Sequence, residues 1–143
     1  MTVRSEPVLE EYSRPYWDAA AQGTLSIQRC ISCDATVFPP YPECLECGSQ
    51  DLKWIETSGR GVVHSASVVK SEILPGLEDR LPLVCALVSL DDAPDALIPT
   101  NIIDAIDVPV LHGTLVELAF EMAGTVALPV FRPRSDEDGG AAA

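Results

Sequence analysis

Hydrophobic and polar positions change their rhythm along this chain. Near the start, Tyr16, Trp17, Ala20 and Ala21 recur at helical spacing. Ser13 is placed to cap that helix, Pro15 lies in its first turn, and Gly23 ends it. After residue 51 the period becomes that of strands. Leu52–Thr57 reads as a first short strand, Gly61–Val69 as a valine-rich one, and Pro82–Leu90 as an apolar run ended by Asp91-Asp92. Ala96–Ile103 is interrupted by Pro99. In Thr114–Glu121, Val116, Leu118 and Phe120 share one face, with Glu117 and Glu121 on the other, and Val126–Phe131 closes the series. Short strands separated by turn residues predict a closed or sandwiched β architecture. Residues 1–12 are polar and are expected to be loosely ordered or draped on a partner, and the tail beyond Pro133 is acidic, rich in Gly and Ala, and expected to be disordered. The expected organisation is a helical segment at 1–24, a cysteine-rich module at 25–51, a barrel at 52–133 and a tail at 134–143.

The module between helix and strands carries the clearest chemistry. Cys30, Cys33, Cys44 and Cys47 form a C-x2-C-x10-C-x2-C pattern. Two residues between thiols make a tight knuckle that offers both sulfurs to one tetrahedral ion. The intervening stretch is shorter than the roughly 15–20 residues of the usual ribbon, but a short hairpin fits it. Pro39, Pro40 and Pro42 stiffen that excursion. Gly48 directly after Cys47 permits a turn that aims amides at sulfur. Zinc is the usual ion for four protein thiolates, and iron in a rubredoxin-like site uses the same ligands. With every position filled by thiolate, the expected role is one structural zinc and no catalysis at the metal.

Charge removes other function classes. Nine Lys and Arg face 22 Asp and Glu, for a net charge of −13. A nucleic-acid-binding barrel needs a basic face, and even the ribbon sets Arg29 against Asp34, Glu43 and Glu46. No apolar run reaches membrane-spanning length. Glu6, Glu10 and Glu11 stand where a signal peptide would be apolar, so a cytoplasmic location is expected. Cys85 reads as a small buried hydrophobe, and no Gly-rich turn exposes it as a nucleophile for His64 or His112. Gly59-Arg60-Gly61 reads as a turn leading into a strand, with phosphate binding as the sharper alternative.

The order of these features resembles a known family. Pro15-Tyr16-Trp17, Gly23 through Cys30, the four cysteines around Phe38-Pro39-Pro40, Trp54, Gly59 through Val63, Leu81 through Val84, Leu87 through Asp91, Gly113 through Glu117 and Leu128 through Pro133 follow one another as in the acyl-CoA-associated proteins called domain of unknown function thirty-five. The resemblance implies a mainly β chain: an N-terminal helix and rubredoxin-like zinc ribbon, then an OB-fold β-barrel. It also implies a non-catalytic subunit of a thiolase-superfamily or aldolase-type enzyme, supporting the complex and its acyl-CoA channel. Carbon–carbon bond cleavage or formation would occur on the partner. Tyr16, Trp17, Phe38, Arg60 and Arg132 are the candidate contacts to CoA or partner, with Val37 beside Phe38 on the ribbon's apolar edge. Either Arg60, Lys70, Arg132 and Arg134 form a local basic patch for the CoA phosphates, or the partner supplies the cations. The competing functions are a nucleic-acid-binding OB protein and a four-cysteine iron electron carrier.

Overall fold

The computed structural model describes residues 6–71, 78–105 and 108–135, so the last residues of the expected disordered tail, and residues 1–5, lie outside the described residues. A 3-10 turn at Glu11–Ser13 leads into helix α1, Arg14–Ala21. Ser13 stands at the cap position, but its hydroxyl donates back to the Glu10 carbonyl (2.8 Å) and caps no helix amide. Gly23 stops the helix with a φ of +86°, a conformation that costs other residues a steric clash. Tyr16 and Ala20, one turn apart, are buried. Trp17 packs edge-on to Tyr16 with ring centroids 4.9 Å apart, and Phe38 lies 6.0 Å from the same ring. The aromatic helix face is therefore core.

A three-stranded antiparallel sheet follows, built from β1 (Ser26–Cys30), β2 (Thr36–Val37) and β3 (Leu52–Glu56) in the order β2-β1-β3. The strand at 52–56 was expected to open the barrel. It pairs instead with β1, from Ser26↔Glu56 to Cys30↔Leu52. The reason is burial. Ile27 and Gln28, on opposite faces of β1, are both buried, and Leu52 completes a small cluster with Cys30, Val37 and Cys44 on the ribbon side.

The barrel is closed, in the order β4-β5-β6-β8-β7: β4 Arg60–Val69, β5 Leu83–Leu90, β6 Ala93–Ile102, β7 Leu115–Ala123 and β8 Val126–Pro133. Neighbours are antiparallel except β6 and β8, which meet in parallel at the single pair Ile102↔Phe131. That sparse contact helps explain how β6 runs through two prolines: Pro99 pairs only with Leu87 of β5, and Pro94 lies in the irregularity between the Ser89↔Leu97 and Leu90↔Ala93 pairs, so a missing N–H is tolerated at each. Val63, Val88, Leu90, Ile98, Ile102, Val116 and Phe131 fill the interior. Gly61 must be glycine, because a Cβ there would sit 2.5 Å from the Ser89 carbonyl oxygen. Leu25 and Ile27 of the ribbon side join the same core, so the two parts share one interior. Among the described residues, no helix is long and apolar enough to cross a membrane.

Candidate metal centre

The β1–β2 connection carries the first knuckle, Cys30 to Cys33, and the segment before β3 carries the second, Cys44 to Cys47. All four sulfurs lie within 4.8 Å of one another. Cys30 Sγ is 3.6 Å from Cys47 Sγ, and Cys33 Sγ is 3.6 Å from Cys44 Sγ. A tetrahedral zinc with ~2.3 Å bonds spaces its sulfurs by about 3.8 Å. The donor set therefore fits one zinc ion, and the separations are far too long for disulfides. Cys30 and Cys44 are buried, while Cys33 and Cys47 face outward.

Local backbone geometry prepares the thiolates. Burial acts to raise the Cys30 thiol, but the Cys33 and Ser32 amides and the neighbouring thiols outweigh it and bring it to about 7. At Cys33 the Ala35 amide favours the thiolate, yet burial and the adjacent thiols push it up to about 12. One thiolate thus suppresses the next, and a dication is what allows all four to stay deprotonated. The Glu46 amide points at Cys44 Sγ (3.4 Å). The turn at Gly48, with φ of +78°, aims the Ser49 amide at the Cys47 sulfur as expected, while the Gly48 amide itself donates to the Cys44 carbonyl (2.8 Å) and closes the knuckle.

Two positioning groups escaped the sequence reading. Gln28, buried in β1, grips Tyr41 twice: its Nε2 donates to the Tyr41 carbonyl (2.9 Å) and its Oε1 accepts the Tyr41 N–H (2.8 Å). This clamp fixes the proline-rich stretch that carries the second knuckle. Asp95 of β6 accepts from the Thr36 amide (3.1 Å) and hydroxyl (2.8 Å), joining ribbon to barrel. Burial works against that carboxylate, but the Thr36 donors outweigh it and its pKa is lowered. A lone glutamine or aspartate between strands gives no sequence signal for such a role.

The other expected contact residues are dispersed. Tyr16 is in the core, with Trp17 and Phe38 half-buried against it. Val37, also expected at a contact edge, is buried beside the metal centre. Arg60 and Arg132 flank Glu117 across three strands, and Arg132 is bound to that carboxylate at 3.1 Å. Arg134 faces Asp91 at 3.9 Å. Of the alternative basic patch, Arg132 and Arg134 are therefore compensated by carboxylates. Gly59-Arg60-Gly61 is the turn into β4, with the Arg60 carbonyl accepting the Asp91 amide (2.9 Å). Cys85 is half-buried, not enclosed as expected. It lines an open groove of about 550 Å³ with Ser65, Ser67, Leu87 and Asn101, because its position in β5 alternates with the inward-facing Ala86 and Val88. The Asn101 amide approaches its sulfur at 3.5 Å. His64 and His112 pack edge to face at 5.9 Å, and the groove includes neither.

Residues 17–53 match the family described as the ChsH2 rubredoxin-like zinc ribbon domain, and residues 54–121 match the ChsH2 C-terminal OB-fold domain. A chain of the solved Ltp2-ChsH2(DUF35) aldolase is 34% identical, with a TM-score of 0.75 and a match covering 90% of this chain and 98% of that one. This chain belongs to the ChsH2 (DUF35) family. The four-cysteine centre is thus the family's zinc ribbon, with one structural zinc, and the barrel is its OB-fold. A DUF35 protein of unknown function from Sulfolobus solfataricus shares the fold at 12% identity, with a TM-score of 0.62 over 87% of this chain and 86% of that one. A probable enoyl-CoA hydratase alpha subunit of Thermomonospora curvata is 34% identical over 132 residues. That match spans 92% of this chain but 40% of the longer relative.

Proposed function

We propose that this chain is a non-catalytic subunit that assembles with a thiolase-like or aldolase-like enzyme acting on acyl-CoA. The observation that carries the reading is the 34% identity to nearly the whole of one chain in an aldolase complex. The site chemistry agrees with an accessory role. Four thiolates leave zinc no open position for water or substrate, so the metal holds the knuckles together and supplies no Lewis acid. Cys85 has an amide beside it where a nucleophile would need a base. The acyl-CoA assignment draws on the name of the longer hydratase relative and on the family resemblance. Because Arg132 and Arg134 already face carboxylates, cations for the CoA phosphates come from the partner in this reading. The small subunit supports the oligomer and borders the acyl-CoA channel.

The test is co-expression with thiolase-superfamily proteins encoded in the same genome, then size exclusion and an assay for carbon–carbon cleavage of acyl-CoA. A stable complex is expected, with turnover in the complex and none in the isolated chain. Turnover by the isolated chain, or salt-sensitive binding to single-stranded nucleic acid without any thiolase-like partner, would overturn the proposal.

A further inference from the structure

Large exposed apolar side chains gather along the N-terminal segment and the proline-rich stretch. Val8 is 84% exposed, Leu9 50%, Tyr12 42% and Tyr41 40%. The Tyr12 and Tyr41 rings meet edge to face at 6.3 Å and join the two segments into one surface. It is a held surface. Gln28 fixes the Tyr41 backbone through both of its polar groups. Glu6, two residues before Val8, accepts the Thr125 amide (3.1 Å) in the β7–β8 turn. The 3-10 turn at Glu11–Ser13 sets Tyr12. Tyrosines with a fixed backbone lose little freedom on binding and offer a large apolar body with a polar tip.

Charge narrows the occupant. Glu10, Glu11 and Glu43 adjoin these residues in the chain, and Arg14 is held by Glu11 at 2.7 Å. With a net charge of −13, a second copy of the chain meets self-repulsion. A protein surface bearing Lys and Arg does not. We propose that the Val8–Leu9–Tyr12–Tyr41 patch docks the enzyme partner through an apolar recess rimmed by Lys and Arg. The proposal rests on the subunit reading above and moves the contact from the expected Tyr16, Val37 and Phe38, which pack inward, to side chains that face out.

The experiment is calorimetric titration of the purified chain with the Ltp2 subunit of the solved aldolase complex. The wild-type chain binds, and added salt slows association. The double variant Tyr12→Ser/Tyr41→Ser binds about 30-fold more weakly or worse. The variant Ile31→Ser/Leu45→Ser, which alters exposed apolar residues on the zinc knuckles, stays within about threefold of wild type. Zinc content and thermal melting that match wild type show that each variant is folded. Wild-type affinity in the folded Tyr12→Ser/Tyr41→Ser protein overturns the docking surface alone. A homodimer that the same double variant dissolves also overturns it, since the patch would then serve a second copy. Failure of the wild-type chain to bind either Ltp2 or any thiolase-superfamily protein encoded in its own genome overturns the subunit reading itself.

Discussion

The tip of the ribbon and the interior of the barrel are held by different physics. The barrel encloses Val63, Val88, Leu90, Ile98, Ile102, Val116 and Phe131 in one continuous cluster. The tip has only Cys30, Val37 and Cys44 buried, with Ala35 and Leu52 packed beside them. So few small side chains remove too little apolar surface from water to fix the connections around them. Two of the three are cysteines, which shows what replaces the missing core: a metal cross-link between segments distant in sequence. The base of the ribbon belongs to the other regime, because Leu25 and Ile27 reach into the barrel's core. The boundary between metal-held and packing-held structure therefore runs across β1, and Gln28 and Asp95 stand close to it.

Removing a ligand tests this contrast most severely. Structural zinc binding supplies about 10–16 kcal/mol of apparent free energy in small zinc-finger peptides. Cys44→Ala should abolish stoichiometric zinc and open residues 31–51 to proteolysis, while β4 to β8 stay protected. Elemental analysis and limited proteolysis check both halves. Simultaneous loss of the barrel would erase the proposed boundary.

Gln28→Ala probes the boundary from inside. It leaves both polar groups of Tyr41 without their partner, a cost of about 1–3 kcal/mol. The expected outcome is a zinc affinity about tenfold weaker in competition with a chelator, the ion still being bound at saturation. An unchanged affinity would mean that the second knuckle positions itself.

Acid gives the smallest effect. The Asp95 pKa is lowered in the folded chain, so its contribution is present above the unfolded value of 3.8 and is lost as pH falls through the lower folded value. Asp95→Asn should leave stability at pH 7 within about 1 kcal/mol of wild type, because the carboxylate is largely exposed. The difference between the two proteins should shrink further below pH 4. Denaturant melts at the two pH values measure it.

The residues that announced themselves in the sequence are those whose role depends on near neighbours. Two C-x-x-C pairs are a local pattern with one coordination geometry, and the alternation of Val116 and Leu118 with Glu117 identified β7. Gly61 read only as part of a turn into a strand, and its close approach to the Ser89 carbonyl shows only once β4 and β5 are paired. What stayed hidden was pairing. Leu52–Glu56 has the same β period whether it joins ribbon or barrel, so nothing local told which strand it would meet. Tyr16 and Tyr12 likewise look alike in sequence. Only the packing of α1 against β1 and β8 makes the first a core residue and leaves the second on the surface.

The parallel meeting of β6 and β8 has a kinetic meaning. Strands β4 to β6 form a meander and β7 with β8 a hairpin, each joined by contacts near in sequence. Closure needs β4 to find β7 and β6 to find β8, and the latter junction is reinforced by one amide, Ile103, on the Phe131 carbonyl (2.8 Å). Such long-range joins form late, because chain entropy must be lost before they stabilise anything. The native barrel therefore has a seam. Amides of β5, paired on both sides, exchange their protons only on global opening, while the Ile103 amide exchanges through local parting of β6 from β8.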